Sequence, residues 1–252
     1  MRTIMIDLIR HGMTGGNARK RYIGRTDEPL SPGGEAQAAS LAECDAVHTL
    51  LARNPKSLLV VSPMLRCVQT AACMLGLRFG PDDGAGHVLE EIRCALRMCR
   101  GSVCDVVVCD DLRECDFGDF EGKNYRELSG SRAYQQWIDS QGTLPFPGGE
   151  DPSAFRSRTC SAFENLLRDT IPLPGHICMV VHGGTIMSIL ERWGVDENGN
   201  TRDYYGWHVE NGCGVRALAT WENDAACMRL EVLKRIDSRE RIHLLERTDH
   251  QI

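Results

Sequence analysis

Two apolar runs in this chain end in the same way. Ile4 to Ile9 leads into Arg10-His11-Gly12, and Ile177 to Val181 leads into His182-Gly183-Gly184. Short apolar runs closed by glycine read as strands buried on both faces. Such strands need helices above and below them, and helical segments do alternate with strands along the chain. This order predicts a mainly parallel central sheet flanked by helices on both faces. In open α/β sheets, ligands bind where strands release their carboxyl ends into loops. Two histidines delivered there are candidates for nucleophile, base or ligand. Arg10 beside His11 points to an anionic ligand.

The other elements follow from local signals. Leu58–Val61 and Val106–Val108 are predicted strands, as are Val215–Thr220 and Met228–Leu233. A helix is expected over Glu35–Ala52, closed by Pro55. Ser62-Pro63 reads as an N-cap followed by proline at the first helical position, opening a helix that runs to Leu75 and stops at Gly76. Ile186, Ile189, Leu190 and Trp193 have helical spacing in a helix starting near Thr185, with Gly194 at its end. The chain reads as one domain over residues 1–252, with an insertion within residues 77–109 and a charged tail from Ser238. Within the insertion, Gly80 to Gly86 reads as a loop and Val88 to Arg100 as an added helix.

Composition removes several classes. A net charge of −6 argues against general nucleic-acid binding, which needs a basic surface. No apolar stretch approaches the roughly 20 residues that span a bilayer. Asp7 and Arg10 interrupt the N-terminal apolar run, so no signal peptide is read and a cytoplasmic location is expected. The 12 cysteines are then expected to be reduced. Cys94, Cys99, Cys104 and Cys109 recur every five residues. That spacing turns a helix by about 140° beyond a full turn and alternates faces along a strand. Neither geometry gathers four thiols, and no metal or organic cofactor is expected.

The predicted strand ends converge on Arg10-His11, on Ser62 to Arg66, on Glu114 and on His182. Taken singly, each is more ordinary: a hydrogen-bonded histidine, a surface arginine, a solvated acid. Together they make a phosphate site. Arginine's planar fork suits phosphoryl oxygens, and the backbone N–H groups after His182, at a helix start, favour an anion.

These residues carry a resemblance. Leu8-Ile9-Arg10-His11-Gly12-Met13-Thr14 with Asn17, and Arg21 to Ser31 with Gly34, make the first blocks. Ser62-Pro63-Met64-Leu65-Arg66-Cys67-Val68-Gln69-Thr70-Ala71, Leu112-Arg113-Glu114 with Phe117 to Gly122, and Val181-His182-Gly183-Gly184-Thr185 follow in order. This ordered set resembles the histidine phosphatase superfamily, which includes cofactor-dependent phosphoglycerate mutases. The resemblance implies a phosphoglycerate mutase-like fold and hydrolysis of small-molecule phosphate monoesters through a phosphohistidine, with no metal or cofactor. By position it implies His11 as nucleophile, Glu114 as proton donor and His182 as a third catalytic group. Arg10, Arg66, Asn17, Thr14 and Gly183 would hold the phosphate.

Within the superfamily, Asp116 to Lys123, Tyr134, Trp137, Pro145 to Glu150 and the His-Gly-Gly-Thr block resemble bacterial α-ribazole phosphatases. Mutases carry Asn and Ser after His-Gly, where this chain has Gly184 and Thr185. The alternatives are a phosphoglycerate mutase, a broad sugar or organic phosphatase, and an inert phosphate-binding module. The segments Leu77–Cys109 and Tyr125–Glu150 are expected to wall the site. Tyr125, Tyr134, Trp137 and Phe146 would stack on a flat leaving group or pack a small subcore.

Overall fold

The computed structural model describes residues 1–52, 56–98, 104–170, 174–222 and 227–237. Seven strands form one sheet in the order β3-β2-β4-β1-β6-β7-β5. They are β1 (Arg2–Arg10), β2 (Ser57–Val61), β3 (Cys104–Val108), β4 (His176–Val181), β5 (Gly194–Val195), β6 (Cys213–Trp221) and β7 (Arg229–Asp237). β3, β2, β4 and β1 run parallel, β6 returns antiparallel to β1, and β7 is antiparallel to β6. The helices are α1 (Gly15–Ala18), α2 (Pro32–Ser40), α3 (Asp45–Leu50), α4 (Leu65–Met74), α5 (Ala85–Met98), α6 (Tyr125–Leu128), α7 (Arg132–Asp139), α8 (Pro152–Asp169) and α9 (Gly183–Trp193).

Strand alternation divides the core in two. Ile4, Ile6 and Leu8 of β1, with Ile177, Met179 and Val181 of β4, pack against α8 and α9 through Phe163, Leu167, Ile186, Ile189 and Leu190. Ile9, Leu59, Val61, Cys178 and Val180 face the other way, against α3, α4 and α5. The sheet thus carries helices on both faces, as its unbroken apolar strands require.

Three boundaries differ from expectation. The helix expected over Glu35–Ala52 is two helices, α2 and α3, joined by a 3₁₀ turn over Leu41–Glu43 and an extended residue at Cys44. In one straight helix Leu41 and Leu50 would lie about 180° apart, at 3.6 residues per turn. The break lets both bury in the same cluster. Pro55 and Arg100 fall outside the described residues. Ser62 is not an N-cap: α4 starts at Leu65, whose N–H donates to Asp27 Oδ1 at 2.7 Å, so the cap comes from a distant loop. Helix α9 starts at Gly183, two residues before Thr185, with His182 as its N-cap residue.

Gly76 does stop α4, in the left-handed region at φ +73°. In the 77–109 segment, α5 begins at Ala85, so the expected loop is shorter than Gly80–Gly86. Among the described residues, no helix is long and apolar enough to cross a membrane.

Candidate active site

Register sets the two histidines side by side. Arg10 pairs with Val181 across the parallel β1–β4 ladder, and the next residues on the two strands are His11 and His182. His11 N–H extends the ladder to Val181 O at 3.0 Å. The rings meet edge to face with centroids 5.2 Å apart. His11 is 3% exposed and His182 is fully buried.

His11 Nδ1 lies 2.8 Å from the carbonyl oxygen of Gly12. A carbonyl only accepts, so Nδ1 carries the proton and Nε2 keeps its lone pair. Burial, then Arg66 and Arg10, push the His11 pKa well below the ordinary 6.5, which keeps the imidazole neutral. His182 is pushed down in the same way, by burial first and then by Arg66, His11 and Arg10. Its Nε2 is 2.8 Å from Ser62 Oγ, at the end of β2. This bond is what occupies the serine that reads as a helix cap.

The two arginines are held by backbone carbonyls. Arg66 is fully buried and donates to Thr26 O and Gly24 O, both at 2.8 Å. Arg10 Nη1 donates to Val209 O at 2.8 Å. The Nε of each is buried without a partner. Buried N–H groups are rarely left unpaired, and these two belong to the cations that act most strongly on His11. Gly183 packs on Arg10, with space for a Cβ only 3.2 Å from its Cζ.

Glu114 follows a 3₁₀ turn after β3. Its Oε1 accepts from Cys115 N at 3.0 Å and its Oε2 from Gly184 N at 3.2 Å, in the first turn of α9. Thr14 and Asn17 are partly spent elsewhere. Thr14 caps α1 by accepting from Asn17 N, and Asn17 Oδ1 accepts from Thr14 N. The Thr14 hydroxyl proton and the Asn17 amide NH₂ are left to donate.

Beside Arg10, Glu114 and Gly183 opens a cavity of about 290 Å³, lined by Tyr22, Phe117, Trp137, Phe146, Tyr204 and Tyr205 among others. A cleft of about 490 Å³ that carries Arg25, Arg113 and Arg158 also reaches Glu114. The aromatic segment therefore both packs a subcore and walls a cavity: Phe120, Trp137, Phe146 and Phe155 form one buried cluster. Tyr125 is 51% exposed and takes no part in either. Among the described residues of Leu77–Cys109, none lines either cavity, so the wall expected there is not seen in them. Helix α5 buries Val88, Leu89, Ile92 and Leu96 against the far helical layer, because its apolar stripe matches α4.

Sequence reasoning missed Asn211, Tyr204 and His208. Asn211 Nδ2 donates to His11 O and Asn17 Oδ1, while His208 and Tyr204 line the aromatic cavity. No motif marks them; only the strand order β1-β6 brings this loop to the site. Cys94, Cys104 and Cys109 are free thiols, and Cys99 lies outside the described residues. Among the described residues, no group of three His, Cys, Asp or Glu is placed to hold a metal.

The sequence pattern of the histidine phosphatase superfamily (branch 1) matches residues 6–83 and 91–231, and the chain belongs to that superfamily. It is 27% identical over 237 residues to the adenosylcobalamin/α-ribazole phosphatase of Salmonella typhimurium, covering 92% of this chain and 95% of that one. It is 31% identical over 197 residues to the 2,3-bisphosphoglycerate-dependent phosphoglycerate mutase of Rhizobium etli, covering 75% and 78%. The α-ribazole phosphatase from Shigella flexneri superposes with a TM-score of 0.63 at 23% identity, over 94% of this chain and 97% of that one. The fold is phosphoglycerate mutase-like.

Proposed function

We propose that this protein hydrolyses phosphate monoesters through a phosphohistidine on His11, with α-ribazole 5′-phosphate as the substrate its features suit best. The observation that carries the reading is the fixed His11 tautomer beside two arginine Nε–H groups without partners. Nucleophile and anion clamp then meet at one point.

In the first step Nε2 of His11 attacks phosphorus and the ester P–O bond breaks. The leaving oxygen takes a proton from Glu114. Arg10 and Arg66 stabilise charge on the transferring phosphoryl, a preorganised electrostatic contribution. The carboxylate left behind keeps the N–H donors of Cys115 and Gly184. In the second step water attacks the phosphohistidine, Glu114 takes its proton, and inorganic phosphate leaves with His11 restored. Asn17 Nδ2 and the Gly183 N–H, the first of α9, supply further donors to the phosphoryl. His182, neutral and held by Ser62, closes the pocket beside the nucleophile.

The substrate preference is supported by the blocks at Asp116 to Lys123 and Gly184-Thr185 and by the near full-length match to the Salmonella enzyme. The aromatic cavity suits a flat base on the leaving group. Labelled substrate quenched in alkali should leave acid-labile label on His11, and His11→Ala should leave none. A phosphate-release panel should rank α-ribazole 5′-phosphate above sugar phosphates and phosphoglycerates. Interconversion of phosphoglycerates faster than phosphate release would instead favour a mutase.

A further inference from the structure

We infer that Asn211 is a positioning residue for the nucleophile, acting through the peptide unit that joins His11 to Gly12. This rests on the phosphohistidine reading above.

The peptide unit is pinned at both ends. Its carbonyl, His11 O, accepts from Gly212 N at 3.1 Å and from Asn211 Nδ2 at 3.1 Å, using both lone pairs. Its N–H, on Gly12, donates to Thr70 Oγ1 at 3.0 Å. Thr70 in turn donates to Arg66 O at 2.7 Å, so the same peptide is tied to the residue that presents the second arginine. The orientation of this peptide sets where the next carbonyl, Gly12 O, stands. That carbonyl fixes the His11 ring and its tautomer.

Asn211 has a second task. Its Nδ2 also donates to Asn17 Oδ1 at 3.2 Å. Asn17 Oδ1 already accepts the unambiguous donor Thr14 N–H. Two donors on one oxygen settle the amide's orientation and leave Asn17 Nδ2 free for an anion. One NH₂ group thus orders the nucleophile's backbone and a phosphate donor together. The same loop holds Arg10, through Val209 O. An aspartate at 211 would fit the space but would face two acceptor oxygens with a third.

The test uses Asn211→Ala and Asn211→Asp in the full chain. Single-turnover phosphorylation of His11 is read by rapid quench, inorganic phosphate inhibition by steady state, and folding by Tm. Both variants should phosphorylate at least ten-fold more slowly, with Asn211→Asp the slower. The phosphate inhibition constant of Asn211→Ala should rise less than three-fold, because Arg10 and Arg66 keep their carbonyl anchors and only the ordering of Asn17 Nδ2 is lost. A phosphorylation rate within two-fold of wild type in both variants overturns the inference. So does an equal loss of rate and phosphate affinity, which would make Asn211 a direct ligand or a general scaffold residue. A wild-type protein that never forms phospho-His11 overturns the underlying function instead.

Discussion

Gly184 and Glu114 are in contact so close that no side chain fits between them. A Cβ built on Gly184 would stand 2.3 Å from Glu114 Oε1 and 3.0 Å from the Phe155 ring. The glycine at this position is therefore a condition for the acid's placement, and not only for the helix start that follows His182.

The first prediction follows directly. Gly184→Ala should push Glu114 out of place while His11, Arg10 and Arg66 stay where they are. Turnover of an alkyl phosphate should fall about 10-fold or more, within the range that a positioned acid contributes. Phosphate inhibition should persist. Steady-state assays on glycerol phosphate check this; unchanged turnover would mean that the loop absorbs the methyl group without moving the carboxylate.

Glu114→Gln separates proton donation from placement. The amide keeps the shape and one of the two acceptor oxygens but cannot give a proton. Alkyl esters should slow by about 10²–10⁴. p-Nitrophenyl phosphate should lose less, because its leaving group needs little protonation. Equal losses on both substrates would point to a purely electrostatic role.

The pH behaviour is set by the buried histidines. Burial chiefly, with the neighbouring arginines, lowers the His11 and His182 pKa values well below 6.5 in the folded state. With neutral His11 as the proposed nucleophile, the acid limb of kcat/KM should turn below pH 6.5. The unfolded chain binds protons on these residues first as pH falls through 6.5, so stability must fall in the same direction. Tm measured from pH 7.5 to 5.0 should drop, and should drop less for a His11→Ala/His182→Ala double variant.

The aromatic cavity makes a substrate-dependent prediction. Tyr205 lines it and is 60% exposed, so Tyr205→Ala should leave the fold intact. KM for an ester with a planar base should rise roughly 5- to 150-fold, the worth of one stacked base. Glycerol phosphate should be unaffected. Trimming the loop before α5 should change neither ranking, since α5 packs on the opposite layer.

Much of the site is legible in the sequence because parallel strands in register convert linear motifs into neighbours. His11 and His182 are 171 positions apart, yet each directly follows a strand of the sheet's core, and the register does the rest. What stays hidden depends on where chains cross. Ser62 reads as a cap from its neighbours alone, while its real partner, His182, is known only from the strand order β2-β4. Helix α8 escapes notice because its buried face uses Thr159, Cys160 and Ala162 beside Phe155 and Phe163, a weak apolar signal among polar residues. Asn211 has no motif at all.

A buried charge away from the site gives a stability prediction. Asp7 on β1 is fully buried and accepts from Arg216 Nε at 2.8 Å and Nη2 at 2.7 Å, with His176 Nε2 at 2.6 Å. Asp7→Ala takes from Arg216 its bidentate partner, leaving Thr49 Oγ1 at 3.2 Å and Asp45 at 3.9 Å, removes the carboxylate from buried His176, and should cost about 3–5 kcal/mol. Urea unfolding measures it. Turnover per folded molecule should stay the same, because the change lies mid-strand on the face opposite α8 and α9.

The placement of β1 and β4 next to each other inside the sheet has a consequence for exchange with solvent. Both strands that end in a histidine are paired on two sides, β1 by β4 and β6, and β4 by β1 and β2. The amides in the buried part of both strands should therefore be among the slowest to exchange, opening only with the global unfolding of the domain. The short helix α7, which brings Trp137 to the aromatic cavity, has no such protection. The molecule should therefore show two clocks: a slow one shared by the strands under His11 and His182, and a fast one in the helix beside the aromatic cavity.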